Sequence, residues 1–168
     1  GASIFALTQY SYDQLNRLEC TAGRMNPAVY GALPASACTL GTAGSQGPDR
    51  ITRNVYDSEG QLIQVWKAVG TSLKVAYATY SYTPNGKQEY VIDAAGNRAK
   101  MEYDGFDRLQ KWIFPSTVKP AAYNPSTQAN ALASAGALNG NDYERYNYDA
   151  NNNRIYLRKR DGQVINYS

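Results

Sequence analysis

Apolar and aromatic residues come in short runs along this chain, separated by polar turn chemistry about every ten residues. The run Leu62-Ile63-Gln64-Val65-Trp66-Lys67-Ala68-Val69 is rich in β-branched and aromatic residues with partial alternation, the pattern of a strand with one face packed. Between runs a beat recurs: Tyr12-Asp13-Gln14-Leu15-Asn16-Arg17-Leu18, Tyr56-Asp57-Ser58-Glu59-Gly60-Gln61-Leu62 and Tyr103-Asp104-Gly105-Phe106-Asp107-Arg108-Leu109, with Tyr148-Asp149-Ala150-Asn151-Asn152-Asn153-Arg154 as a looser copy. Half-copies begin at Tyr82 (Tyr82-Thr83-Pro84-Asn85-Gly86-Lys87) and Ile92 (Ile92-Asp93-Ala94-Ala95-Gly96-Asn97-Arg98). Each beat reads as strand, tight turn, strand. The Asp can accept backbone N–H bonds two or three residues on, closing an Asx-type turn. The fifth position needs positive φ, which suits Gly60, Gly86 and Gly96, and next best Asn16, Asp107 and Asn152. Asn85-Gly86 predicts a two-residue type I′ turn. The expectation is an all-β fold, a meander of β-hairpins built from one repeated unit.

The Tyr-Asp beat, its spacing of about 21 residues from Tyr82 to Tyr103, and the phrases beginning at Asp93 and Tyr103 closely resemble RHS proteins, also called YD-repeat proteins. The resemblance covers roughly residues 5–23, 51–114 and 143–168. It implies a long β-sheet spiralling into a hollow shell, which in bacteria usually encloses a toxic C-terminal domain; animal relatives are cell-surface adhesion proteins. Family shells are built by much longer chains, so these 168 residues are expected to form an arc of such a spiral, a single array over 1–168. The self-cleaving core of cargo-releasing members carries an Asp-Pro dipeptide, and this sequence has none. The Gly1-Ala2-Ser3 start and the stop at Asn166-Tyr167-Ser168 read as those of a piece.

Two insertions break the beat, at about 24–50 and 115–142. The first opens with Asn26 as cap and Pro27 at the first helical position, predicting one or two helical turns before Leu33-Pro34. In the second, Asn124-Pro125 reads as cap and first turn of a short helix over Ser126–Ala135, with Gly140 near its stop. Plugging the inside of an arc or decorating the surface are alternatives; covering a sheet edge is the role favoured here, because exposed edges invite aggregation.

Composition narrows the function. With 15 Tyr against 3 Phe and 2 Trp, the aromatics suit a sheet with one wet face, where rings pack and hydroxyls reach water or carbonyls. A set Tyr80, Tyr82, Tyr90 and Trp112, if exposed and coplanar, would instead form a glycan- or receptor-binding platform. The formal charge of +3 is too small to signal nucleic acid, and Arg154, Arg158, Lys159 and Arg160 read as a solvated strand face, with an acidic partner as the alternative. Cys20 ends a repeat strand and Cys38 lies in the first insertion; a bond between them would staple that loop to the sheet, contributing about 3 kcal/mol by loop closure, and two buried free thiols are the other reading. The absence of His removes the commonest general base and imidazole ligation. Asp13, Asp57, Asp93, Asp104 and Asp149 are accounted for by their turns. Asp149, Asn151 and Asn153 have the spacing of an EF-hand start, but Arg154 replaces the required Gly and Arg160 the bidentate Glu. Neither cofactor nor metal is expected, and apolar runs are too short to span a membrane as a helix. The expectation is a non-enzymatic scaffold or shell segment of an exported bacterial RHS-type protein, secreted or on the cell surface, pairing with flanking repeats and enclosing or presenting a toxin. Alternatives are an adhesion module using the Tyr-rich face and a fibre subunit that self-associates through its sheet edges.

Overall fold

The computed structural model describes residues 6–167, so Gly1-Ala2-Ser3 and Ser168 lie outside the described residues. The chain is all-β and antiparallel, and strand order follows chain order throughout. It divides into two compact units, one ending at Ala78 and the other starting at Thr79. The first holds β1 (Leu7–Tyr12), β2 (Leu18–Arg24), β3 (Arg50–Tyr56) and β4 (Leu62–Lys67); the boundary falls within β5 (Val75–Tyr82). The second continues with β6 (Gln88–Asp93), β7 (Arg98–Tyr103), β8 (Leu109–Pro115), β9 (Leu138–Tyr148), β10 (Arg154–Arg158) and β11 (Val164–Asn166).

The turns form from the beat. In each, the second residue's carbonyl accepts from the fifth residue's N–H, as in Asn16 to Asp13 (3.0 Å) and Asp107 to Asp104 (3.0 Å), and the fifth residue is left-handed. This is a type I turn followed by one αL residue. Asn85-Gly86 is no exception, which corrects the type I′ reading: Gly86 has φ +75° but Asn85 is not left-handed, and Gly86 N–H bonds the Thr83 carbonyl at 2.9 Å. Thr83 acts where other beats have Asp, its Oγ1 accepting from Lys87 N–H at 3.1 Å, so the sixth residue is held and a two-residue loop is not formed.

In the first unit the core is small. Cys20, Ala22, Ala37 and Ile51 are fully buried, with Cys38, Leu40 and Val69 packed against them. Cys20, Ala22 and Arg24 lie two residues apart on β2 and so point to one face, where Ala22 sits opposite Ile51 of β3. The first insertion lies over that face rather than capping an edge, a correction with a physical cause. Small side chains leave a shallow floor, and Arg24 buried in it requires partners from above. Asn26 does cap a turn, its Oδ1 accepting from Ala28 N–H at 3.2 Å, but only one 3-10 turn follows, over Pro27–Val29.

In the second insertion α1 (Gln128–Ser134) is capped by Thr127, whose Oγ1 accepts from Asn130 N–H at 3.1 Å. The Asn124 cap is corrected: its Oδ1 instead closes a turn onto Ser126 N–H at 3.1 Å. Helix geometry stops at Ala135, which is extended, and Gly140 lies inside β9. The insertion packs on the β6–β7 turn. Gly136 N–H donates to the Gly96 carbonyl at 2.9 Å, and a Cβ on Gly96 would lie 2.7 Å from Tyr123 and 2.8 Å from Pro120. Gly96 is thus required twice, for its φ of +83° and for this close approach.

Candidate functional site

Meander topology sends alternate turns to opposite sides of the strands. In the first unit the Tyr12 and Tyr56 turns share one side, and the first insertion and the β4–β5 loop the other. In the second, the Tyr82, Tyr103 and Tyr148 turns share a side, while the Ile92 turn, the second insertion and the β10–β11 turn lie opposite. Tyrosine-led beats therefore line a single side of each unit.

These beats differ from the others in register. After Ser11↔Cys20 comes Tyr12↔Leu18, leaving Glu19 as a bulge, and the same step leaves Ile63, Gln110 and Ile155 unpaired after the Tyr56, Tyr103 and Tyr148 turns. A bulge re-aims the strand and frees backbone groups from the ladder. The carbonyl at the seventh position of a beat is then used by the next Tyr-led beat. Tyr56 donates its hydroxyl to the Leu18 carbonyl at 2.9 Å, Tyr103 to Gln88 at 2.7 Å and Tyr148 to Leu109 at 2.9 Å. In every case the first residue of one beat reaches the seventh residue of the preceding Tyr-led beat, stitching neighbouring hairpins. Asn54 Nδ2 adds a bond to Leu18 O at 3.0 Å.

Arginine at the sixth position strengthens two of these joints. Arg17 binds its own turn at Asp13 (2.7 Å), donates to the Asp57 carbonyl at 3.1 Å and lies 4.6 Å from the Tyr56 ring centroid. Arg108 repeats this with Asp104 (2.7 Å), the Asp149 carbonyl (3.1 Å) and Tyr148 (4.8 Å), and adds Asn152 Oδ1 at 2.9 Å. The turn carboxylates accept from backbone as well: Asp13 from Leu15 and Arg17, Asp57 from Gln61, Asp93 from Ala95 and Asn97, Asp104 from Phe106 and Arg108, Asp149 from Asn151 and Asn153. The Arg17 amide lowers the pKa of Asp13, the Arg108 guanidinium that of Asp104 and the Asn153 carboxamide that of Asp149.

The four aromatics considered as a platform are not brought together. Tyr90 pairs with Lys100 and Lys100 with Ile113, so these share a face, and Trp112, next to Ile113, points to the other. Tyr80, Tyr82 and Tyr90 are half-buried; the Tyr80 carbonyl accepts from Gln128 of the second insertion at 2.6 Å, and Arg98 and Lys100 lie 5.4 and 5.7 Å from the Tyr90 centroid. Trp112, 37% exposed, stacks on Phe114. The basic cluster is engaged within the chain: Arg154 over Tyr146, Arg158 over Tyr143, and Arg160 bonded twice to Asp142.

Cys20 and Cys38 are joined in a disulfide. Beside it lies a polar centre that sequence reasoning missed. Arg24 and Asp49 form a buried ion pair at 2.5 Å; Arg24 also donates to Gln9 Oε1 and to the Thr39 and Ser36 carbonyls, while Asp49 accepts from Met25 and Gly41 N–H. Burial opposes the Asp49 charge, but these hydrogen bonds outweigh it and lower its pKa. No spacing signal could have paired residues this far apart. A missed beat could have been found: Arg158 to Val164 closes the same turn with Gly162 left-handed at φ +86°. Among the described residues no cluster of His, Cys, Asp or Glu could hold a metal ion, and no helix is long and apolar enough to cross a membrane.

No protein-family model matches the chain, and no curated protein does. Solved structures do. The crystal structure of TcdB2-TccC3 matches over 94% of this chain with a TM-score of 0.59 at 17% identity. The fold is of RHS type. The chain spans 6% of the length of that chain, and a second structure, of TcdB2-TccC3-TEV, aligns with a TM-score of 0.48 at 16% identity over 88% of this chain and 7% of its own. At 17% identity the likeness to TcdB2-TccC3 is one of fold.

Proposed function

We propose that this chain is a structural, non-enzymatic repeat segment, a stretch of wall in an exported bacterial RHS-type protein that encloses or presents a toxin. The observation that carries the reading is the stitch itself. Within each unit, Tyr-led hairpins are bonded to the preceding Tyr-led hairpin by the hydroxyls of Tyr56, Tyr103 and Tyr148 and, at two joints, by an arginine, which is the chemistry of a surface built by repetition. The RHS-type fold shared with TcdB2-TccC3, a toxin complex, supports it. In this reading the Tyr-led beats hold hairpins in register, the first insertion thickens the wall over one face, and flanking repeats continue the ladder.

The test is to capture the natural product carrying this segment from its source, with an antibody raised against the segment, and treat it with protease under native conditions. A wall predicts a large particle recovered from outside the producing cells, with an interior polypeptide protected until the particle is denatured. A protein recovered only inside the cells, with no protected polypeptide, would refute the reading.

A further inference from the structure

We infer that the cleft between the Tyr82 and Tyr103 turns is a binding site for an arginine side chain contributed by another polypeptide. Three joints between Tyr-led turns can be compared. Arg17 fills the first and Arg108 the last, each guanidinium resting on the next beat's tyrosine, donating to its Asp carbonyl and lying against its fifth residue, Gly60 or Asn152. At the middle joint the sixth residue is Lys87, exposed, and the second is Thr83, which cannot anchor a cation as Asp13 and Asp104 do.

What a guanidinium would need is nevertheless in place. Among the described residues no cation lies over the Tyr103 ring, and the Asp104 carbonyl accepts only from the Asp107 amide. The fifth residue of the receiving beat is here Asp107, left-handed at φ +59°, a residue type less suited to that backbone than the Gly or Asn of the filled joints. It places a carboxylate where Arg108 finds Asn152 in the next joint. Asn85 Nδ2 reaches Asp107 Oδ1 at 3.0 Å and otherwise leaves the joint open as a cleft of about 510 Å³, whose walls also carry Glu89 and Glu102. Lys100 lies between those two glutamates at 3.8 and 3.2 Å, so three carboxylates face a single internal cation and the cleft keeps a negative balance. Planar, bidentate recognition favours arginine over lysine in such a setting.

The probe is a blocked Gly-Arg-Gly tripeptide titrated into the protein and followed by amide NMR, with Gly-Lys-Gly as control. Saturable shifts confined to the Tyr82 and Tyr103 turns are expected with the arginine peptide and much weaker ones with lysine. Asp107→Asn, which keeps a residue tolerated at positive φ, should weaken binding about tenfold, the scale of one hydrogen bond to a charged group. Thr83→Asp with Lys87→Arg rebuilds the internal clamp and should abolish binding while raising the midpoint of thermal unfolding. Absence of saturable binding, equal binding of the lysine peptide, or undiminished binding in both variants would overturn the assignment. The outcome is independent of whether the chain encloses a toxin.

Discussion

The Tyr103 and Ile92 turns share a beat, an Asp at its second position and a left-handed fifth residue, yet they end their hairpins differently. At Ile92 the strands pair without interruption, Ile92 opposite Arg98, and the Ile92 side chain is fully buried. At Tyr103 a bulge follows the turn, and the tyrosine leaves its own hairpin to bond the one before. The Arg158 turn, on the same side of its unit as Ile92, also lacks a bulge. Closing the turn therefore takes the left-handed fifth residue and its bond to the second residue's carbonyl, which form equally with Asp93, Asp104 or Lys159 at the second position. The aromatic at the first position serves the joint between hairpins, and where a neighbouring insertion packs on the turn, as on Gly96, that role lapses.

This contrast can be broken from either side. The largest effect is expected at the first insertion, which is tied down covalently. Cys20→Ala with Cys38→Ala should cost about 3 kcal/mol in denaturant unfolding of the first unit. Gly96→Ala, which forces both a positive φ and a clash with Pro120 and Tyr123, should cost roughly 2 kcal/mol. Gly86→Ala meets nothing within 4 Å and isolates the backbone share of that cost. On the tyrosine side, Tyr148→Phe should cost about 1 kcal/mol, the worth of one hydrogen bond, and speed exchange of amides flanking Leu109. Smallest is the acid response. Asp13, Asp104 and Asp149 have folded-state pKa values below the ordinary 3.8, so their contribution is fully present above that value and is lost as pH falls through the lowered ones. Thermal midpoints recorded downward from pH 5 should fall less steeply in the triple Asp→Asn variant.

Much of this was legible before any coordinates. Asn16, Gly60, Gly86, Gly96, Asp107 and Asn152, singled out by position, are all left-handed. Turn chemistry is local, acting over four or five residues, and so it is written in the spacing. The all-β meander follows from it. What the first insertion covers was not legible, because Arg24 meets Asp49 and Gln9 through space and the choice of face over edge depends on the sizes of Cys20, Ala22 and Ile51 together. The stitch lay between these cases. Tyrosine recurs visibly, but its partner is a backbone carbonyl at the seventh position of the preceding Tyr-led beat, and a carbonyl has no sequence signature of its own. The separation of Tyr90 and Trp112 onto opposite faces follows from a register that no single strand reveals.

Because Tyr56, Tyr103 and Tyr148 each bond the preceding Tyr-led hairpin at the same position, the joint is an adapter with the same fitting on both sides. Whole hairpins could be duplicated, lost or exchanged between related genes at tyrosine boundaries without redesigning a shared core. Chains of this build would then vary in length by recombination far more readily than enclosed domains do, with growth in steps of one Tyr-to-Tyr unit.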